Sequence, residues 1–224
     1  VAETDGTEYT IRSAADLPEP SKIDHIREPW IKGEVVVPND YVGAVIQLIN
    51  RIRGLQKNLS YLDETLALIV FEAPLPNVLT DFYDSLKSIT SGYGSFNYEL
   101  GDYRREKLVR LDTLVGGELI DSLSMITHTD EAYRLGKQIV EKLKEVIPRQ
   151  NFEISLQAAI GGKIIAREDV KALRKDVIAK LYGGDVTRKN KLLDKQKKGK
   201  KKMKRIGKVD IPAEAFMVLV SKDS

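Results

Sequence analysis

From Trp30 to Pro38 the apolar side chains fall on alternate positions: Ile31, Gly33, Val35 and Val37 share one set, Lys32, Glu34 and Val36 the other. That period of two predicts a half-buried strand, ended by the proline. Asn39 can then cap a helix on which Val42, Val45, Ile46, Ile49 and Ile52 form one stripe, with Gly54 as its left-handed terminator. Strands are expected at about Asn58 to Leu62 and Thr65 to Phe71, joined by the turn residues Asp63 and Glu64. After Pro74 and Pro76 a second helix passes through Val78, Leu79, Phe82, Leu86 and Ile89 and stops at Gly92. A last strand sets Phe96, Tyr98 and Leu100 against Ser95, Asn97 and Glu99. Strand, helix, strand, strand, helix, strand is the split βαβ or ferredoxin-like plan, and it closes near Tyr103.

A second unit follows. Strands from Leu108 to Val115 and from Leu119 to Ile126 flank Gly116-Gly117, a strong hairpin signal. Thr129 or Asp130 caps a long helix that turns Ala132, Gly136, Ile139, Val140, Leu143 and Ile147 inward and ends at Pro148. A strand from Phe152 to Ala158 precedes Gly161-Gly162, and a basic helix is expected from about Arg167 to Leu181, before Gly183-Gly184. Phe216 to Val220, an unbroken apolar run, reads as a buried strand. Before Trp30 there is only a short strand around Tyr9 to Ile11, a proline-punctuated passage and a polar linker to Arg27, too little for a core. The expected class is therefore α+β: residues 1–28 as the end of a preceding domain with its linker, a ferredoxin-like domain over 29–104, and a second α+β domain over 105–224.

With 42% hydrophobic residues in 224, the chain can build real cores. It has no cysteine, which excludes disulfides and thiol chemistry, and its two histidines, His25 and His128, are too few for most histidine-built zinc sites. The longest apolar run, Leu66 to Phe71, is far too short to cross a bilayer, and the opening residues lack the basic flank and apolar stretch of an export signal.

Charge changes the picture more. The net charge is +3, yet Arg188, Lys189, Lys191, Lys195, Lys197, Lys198, Lys200, Lys201, Lys202, Lys204, Arg205 and Lys208 stand in 21 residues with one acid, Asp194, so this segment carries 12 − 1 = +11 and the rest −8. So dense a block repels itself and calls for a polyanion, of which an RNA or DNA backbone is the most regular. Lysines outnumber arginines there, as suits point-charge contact with phosphate more than bidentate reading of bases. The densest part runs from Lys197 to Arg205. Leu192, Leu193, Met203 and Ile206 are too sparse for a core stripe, so the segment is expected to be mobile in the free protein, and any helix in it solvent-exposed or ordered on a partner.

Other chemistry is scarce. Every Gly-Lys pair (Gly136-Lys137, Gly162-Lys163, Gly199-Lys200, Gly207-Lys208) lacks the following Ser or Thr and the glycine five positions before that a phosphate-cradling loop needs. No catalytic residue, metal site or cofactor is expected in this chain. His128, beside Thr127, Thr129 and Asp130, reads as a structural hydrogen-bonding residue, and Asp63, Glu64, Asp102, Arg104, Arg105 and Glu106 as surface or turn residues. Gly92 to Tyr98 imitates an RNA-stacking strand but lacks its basic and aromatic positions at Ser91 and Ser95, so Phe96 and Tyr98 are expected in the core.

The stretch Pro74 to Leu100, with Phe82-Tyr83-Asp84-Ser85-Leu86-Lys87-Ser88-Ile89, resembles the fifth domain of translational GTPases of the elongation factor G type. The runs Ile147-Pro148-Arg149-Gln150-Asn151-Phe152, Gln157-Ala158-Ala159-Ile160-Gly161, Lys163-Ile164-Ile165-Ala166-Arg167 and Tyr182-Gly183-Gly184-Asp185 resemble the C-terminal domain peculiar to the LepA, or elongation factor 4, family. The likeness covers nearly everything from Arg27 to Val220. It implies a parent GTPase that uses GTP and magnesium in a domain not present here, and hence a C-terminal fragment. It further implies binding to the ribosome, at rRNA and the stalk base, and to the tRNA acceptor arm, in a factor assigned one-codon back-translocation of tRNAs. The implied setting is the bacterial cytoplasm or an organellar matrix or stroma, with peripheral membrane association in some members; a monomer is expected. The competing reading is a polybasic module for an anionic membrane surface, or for other RNA as in ribosome assembly.

Overall fold

A computed structural model describes residues 1–173, 186–206 and 209–219. The described residues fall into two units, one made of Val1–Tyr9 and Lys22–Lys107, the other of Thr10–Ser21 and the described residues from Leu108 to Leu219. In the first, β1 (Ala2–Glu3) and β2 (Ile23–Pro38) precede α1 (Val42–Arg51), β3 (Leu55–Tyr61) and β4 (Leu66–Pro74). A continuous helical stretch comes next, composed of α2 (Leu75–Asn77), a wide π-type turn (Val78–Phe82) and α3 (Tyr83–Ile89), and β5 (Ser95–Glu106) closes the unit. The sheet is antiparallel, in the order β3-β4-β2-β5, the ferredoxin-like arrangement. Its register sets Val35 beside Ile69 and Phe96, and Gly33 beside Phe71 and Tyr98.

The core is where the alternation placed it. Ile31, Val35, Val37, Ile69 and Phe71 of the sheet, Val45 and Ile49 of α1, and Phe82 and Leu86 are fully buried. Gly33 makes room for a ring: a Cβ there would lie 2.6 Å from Cζ of Phe71, which packs 5.4 Å from Phe82 and 6.0 Å from Phe96.

Several expectations change. β2 begins at Ile23 instead of Trp30, because residues 26–29 pair with the end of β5 through Ile26 and Glu106. No strand forms around Tyr9 to Ile11; Ala2 and Glu3 pair with β2 instead, and Ala2 also bridges to Glu8. Asn39 does not cap α1. It lies in a 3-10 turn, where its amide receives no helix donor but donates to Glu64 O at 2.9 Å while its backbone N–H donates to Thr65 O. The left-handed residue after α1 is Arg53, φ 61°, and Gly54 serves a packing need: a Cβ on it would meet Ile49 Cγ2 at 2.6 Å. Phe96 is half-buried, but Tyr98 is 40% exposed, stacked on Phe96 at the sheet's edge strand, and is not core.

The second unit contains β6 (Leu108–Val115), β7 (Glu118–Leu119), β8 (Met125–His128), α4 (Thr129–Val146), β9 (Ile154–Ile160), β10 (Lys163–Val170) and α5 (Val186–Ile206). Its sheet runs β10-β9-β6-β7, with β8 also on β6. Gly116 and Gly117 take φ 65° and 92°, the signs a two-residue hairpin turn requires. The returning strand is interrupted by a 3-10 turn at Asp121–Leu123, which buries Leu123 and lets Thr113 Oγ1 donate to Leu123 O at 2.8 Å. On α4, Ala132, Gly136, Ile139, Val140 and Leu143 are buried as their spacing predicts.

Two expectations here are corrected. The chain after Gly161-Gly162 is a strand, β10, and not a helix as far as Val170: these glycines too have positive φ, and they fold β10 back onto β9. Residues 171–173 form no regular element, and the remainder of that expected helix, 174–181, lies outside the described residues. Ala213–Leu219 is a 3-10 helix, not a strand; Ala215 and Val218, three apart, are buried, whereas Phe216 and Met217 are exposed. Val220 lies outside the described residues.

Candidate nucleic-acid interface

The basic segment is a helix. Leu, Lys, Gln, Arg and Met are strong helix formers, and they make up 15 of the 21 residues of α5, about 31 Å at 1.5 Å per residue. Within it stand Arg188, Lys189, Lys191, Lys195, Lys197, Lys198, Lys200, Lys201, Lys202, Lys204 and Arg205 against Asp194, or 11 − 1 = +10. Lys208 lies outside the described residues. No residue from Val186 to Lys200 is buried.

Exposure along α5 is not uniform. Lys189, Leu192, Gln196, Gly199 and Lys200 are half-buried, and the first four, spaced by three and four, mark one face. The ammonium of Lys200 donates to the Leu173 carbonyl at 2.5 Å, which ties this face to the second unit's own backbone. Arg188, Lys191, Lys195, Lys197 and Lys198 are exposed. A helical turn of 3.6 residues brings positions 191, 195, 198, 202 and 205 into one stripe, about a third of a turn from that face, five basic positions in about 21 Å. The basic residues from Arg188 to Lys200 are therefore not equivalent: Lys189 and Lys200 are half-buried, while Lys191, Lys195 and Lys198 are exposed. Periodicity could have shown this in the sequence, had a helix been assumed there.

Other charged groups make local pairs. Arg104 lies with its guanidinium 4.4 Å over the Trp30 ring and donates to Glu72 at 2.7 Å; Lys57 reaches the same carboxylate at 3.0 Å. Arg104 first and Lys57 second hold Glu72 below its ordinary carboxylate range. Arg53 bonds Glu28 at 2.5 Å and lies 3.6 Å from Glu106. Arg104 and Glu106 thus have structural partners and are not the plain surface residues expected. Asp63 does serve its turn, where Oδ1 accepts from the Thr65 N–H, the Thr65 hydroxyl and the Leu66 N–H. His128 is the cap of α4: its Nδ1 accepts from the Asp130 N–H at 3.3 Å, the role expected of Thr129 or Asp130.

Two families match successive parts of the chain, with a boundary seven residues beyond the one between the units at Lys107. Residues 25–114 match the family described as elongation factor G C-terminus, and residues 115–221 that described as GTP-binding protein LepA C-terminus. Elongation factor 4 of Shouchella clausii is 55% identical over 223 residues, covering all of this chain and 37% of that relative. Elongation factor 4 of Geobacillus thermodenitrificans is 55% identical over 98% of this chain and 36% of its own length. That of Streptococcus thermophilus is 51% identical over the whole chain and 37% of its own length. The chain spans a little over a third of these relatives.

Proposed function

We propose, for a chain that belongs to the LepA family of elongation factors and carries the two C-terminal domains found in it, that its task is to hold a translation factor on RNA of the ribosome and on tRNA, with α5 as the phosphate-binding element. The observation that carries this reading is the stripe at 191, 195, 198, 202 and 205, a row of basic positions about 21 Å long on α5, of which Lys191, Lys195 and Lys198 are exposed. Contacts of this kind supply affinity and position without reading bases, which suits a factor that must accept any elongator tRNA. GTP hydrolysis and one-codon back-translocation are proposed for the longer protein, with the nucleotide handled by residues beyond this chain.

Crosslinking the protein to whole ribosomes, with the contacted RNA mapped, tests the reading. Crosslinks from α5 to rRNA or to the tRNA acceptor arm are expected, and their loss when Lys191, Lys195, Lys198, Lys202 and Arg205 are changed to Gln. The same variant tested against anionic vesicles separates the membrane alternative: vesicle binding lost with RNA binding intact would overturn the proposal. Calorimetric titration with GTP and magnesium should give no stoichiometric binding to this chain.

A further inference from the structure

In the second unit α5 stands between Leu173, which follows β10, and Asp210, which precedes the 3-10 helix at Ala213–Leu219. These two residues have 36 others between them in the sequence, and both bond Gln150, in the connection from α4 to β9. The carbonyl of Gln150 accepts from the Leu173 N–H at 2.7 Å. Its side chain faces the backbone of Asp210, with Nε2 donating to the carbonyl at 2.9 Å and Oε1 accepting from the N–H at 3.4 Å. Asn and Gln alone carry a donor and an acceptor side by side as a peptide group does, so this carboxamide stands where a neighbouring strand would. The middle of the segment joins the same group, because the Leu173 carbonyl accepts from the ammonium of Lys200.

The connection that carries Gln150 is pinned on both sides. Ile147 and Phe152 are buried in the core of the second unit, and Val170, near the end of β10, is buried opposite Ile154. Val209 and Ile211, on either side of Asp210, are half-buried against that core, whereas Asp210 is exposed. Gly116 leaves room for this returning stretch, since a Cβ on it would lie 2.8 Å from Val209 Cγ2.

We propose that Gln150 is a positioning residue for α5: it holds the beginning and the end of the α5 segment together, so that the segment meets RNA from a closed base. This rests on the reading of α5 as a phosphate-binding element. A segment whose ends are already joined has less conformational freedom to lose when RNA orders it, and so binds more tightly with the same phosphate contacts. The contribution is independent of charge, because Gln150 is neutral.

The test uses Gln150→Met, which nearly conserves volume, stays neutral and removes both side-chain hydrogen bonds. Amide order parameters over Val209 to Ile211 should fall from about 0.85 to below about 0.6, with those of Ile154 to Leu156 in β9 unchanged. Affinity for unfractionated tRNA should fall about fivefold at fixed salt, while the slope of log affinity against log salt stays that of the wild type, since no charge has been removed. Unchanged order at 209–211 overturns the proposal. So does loosening there with wild-type tRNA affinity, which leaves Gln150 a structural residue only, and so does a flattened slope, which means lost phosphate contacts. Wild-type protein that binds no tRNA overturns the RNA reading and this proposal with it, an outcome distinct from a variant that binds as the wild type does. Should Gln150→Met fail to fold, Gln150→Asn, one methylene shorter, is measured in the same way, and unchanged order at 209–211 or unchanged affinity in it overturns the proposal as well.

Discussion

α4 and α5 differ by three residues in length, 18 against 21, and belong to the same unit. α4 buries five residues along one face and its charges cancel, with Asp130, Glu131, Glu141 and Glu145 against Arg134, Lys137, Lys142 and Lys144. α5 has a net charge of +10 and buries nothing from Val186 to Lys200. Its like charges recur four apart, as at 191 and 195, 197 and 201, and 198 and 202, each pair opposing the helix by about 0.2–0.5 kcal/mol. The first helix exists because the sheet of β6, β9 and β10 lies beneath it. The second has good intrinsic propensity and electrostatics that favour it only beside negative charge. One is a product of the fold, the other of helix propensity against the repulsion of its own charges.

Changing each helix should therefore break a different property. The largest effect is expected from Leu143→Ala on α4, fully buried, which should cost about 2–5 kcal/mol of stability in urea titration and leave the salt dependence of RNA binding as it was. The amides of α5 come next: in the free protein they should exchange within the dead time of the experiment, whereas those of α4 from Ile139 to Leu143 are protected by orders of magnitude. Comparable protection in the two helices would erase the distinction. Neutralising the five stripe positions should change stability by no more than about 0.5 kcal/mol, since exposed charges contribute little to folding.

The smallest effect concerns Lys144 of α4, whose ammonium donates to Glu168 at 2.6 Å. That hydrogen bond and the carboxylate's charge raise the lysine above its ordinary value. A raised lysine adds stability that is fully present below the unfolded value, about 10.4, and is lost as pH rises through the folded one. The difference in melting temperature between the wild type and Glu168→Gln should accordingly be visible at pH 8 and shrink above pH ~10.5.

The same contrast governs what could be read in the sequence. Where burial builds an element, its period is written in the residues: β2 from Ile31 to Val37, α4, and the hairpin at Gly116-Gly117 follow directly. Where other forces build it, the period is silent. The first half of β2 is held by its ladder with β5 and by Arg53 on Glu28, so its residues show no alternation. β10 mixes Lys163, Arg167, Glu168 and Asp169 into a strand at the sheet's edge, and these charges imitate a polar helix. In the run at Phe216 a spacing of three, Ala215 to Val218, was hidden by the apolar residues between. For the candidate site the charge was legible, but the division of α5 into half-buried and exposed positions required the helix and its exposure.

Whether α5 meets phosphates as a row of point charges is read from the salt dependence of tRNA binding. If the five stripe positions each neutralise one phosphate, the logarithm of affinity should fall with the logarithm of salt at a slope of roughly −4 for the wild type, at about 0.7 to 0.9 per contact, and similarly for every tRNA. The variant with Gln at 191, 195, 198, 202 and 205 should bind all of them more weakly by a common factor, with the slope nearly flat. A variant that keeps both the affinity and the slope of the wild type would contradict the account.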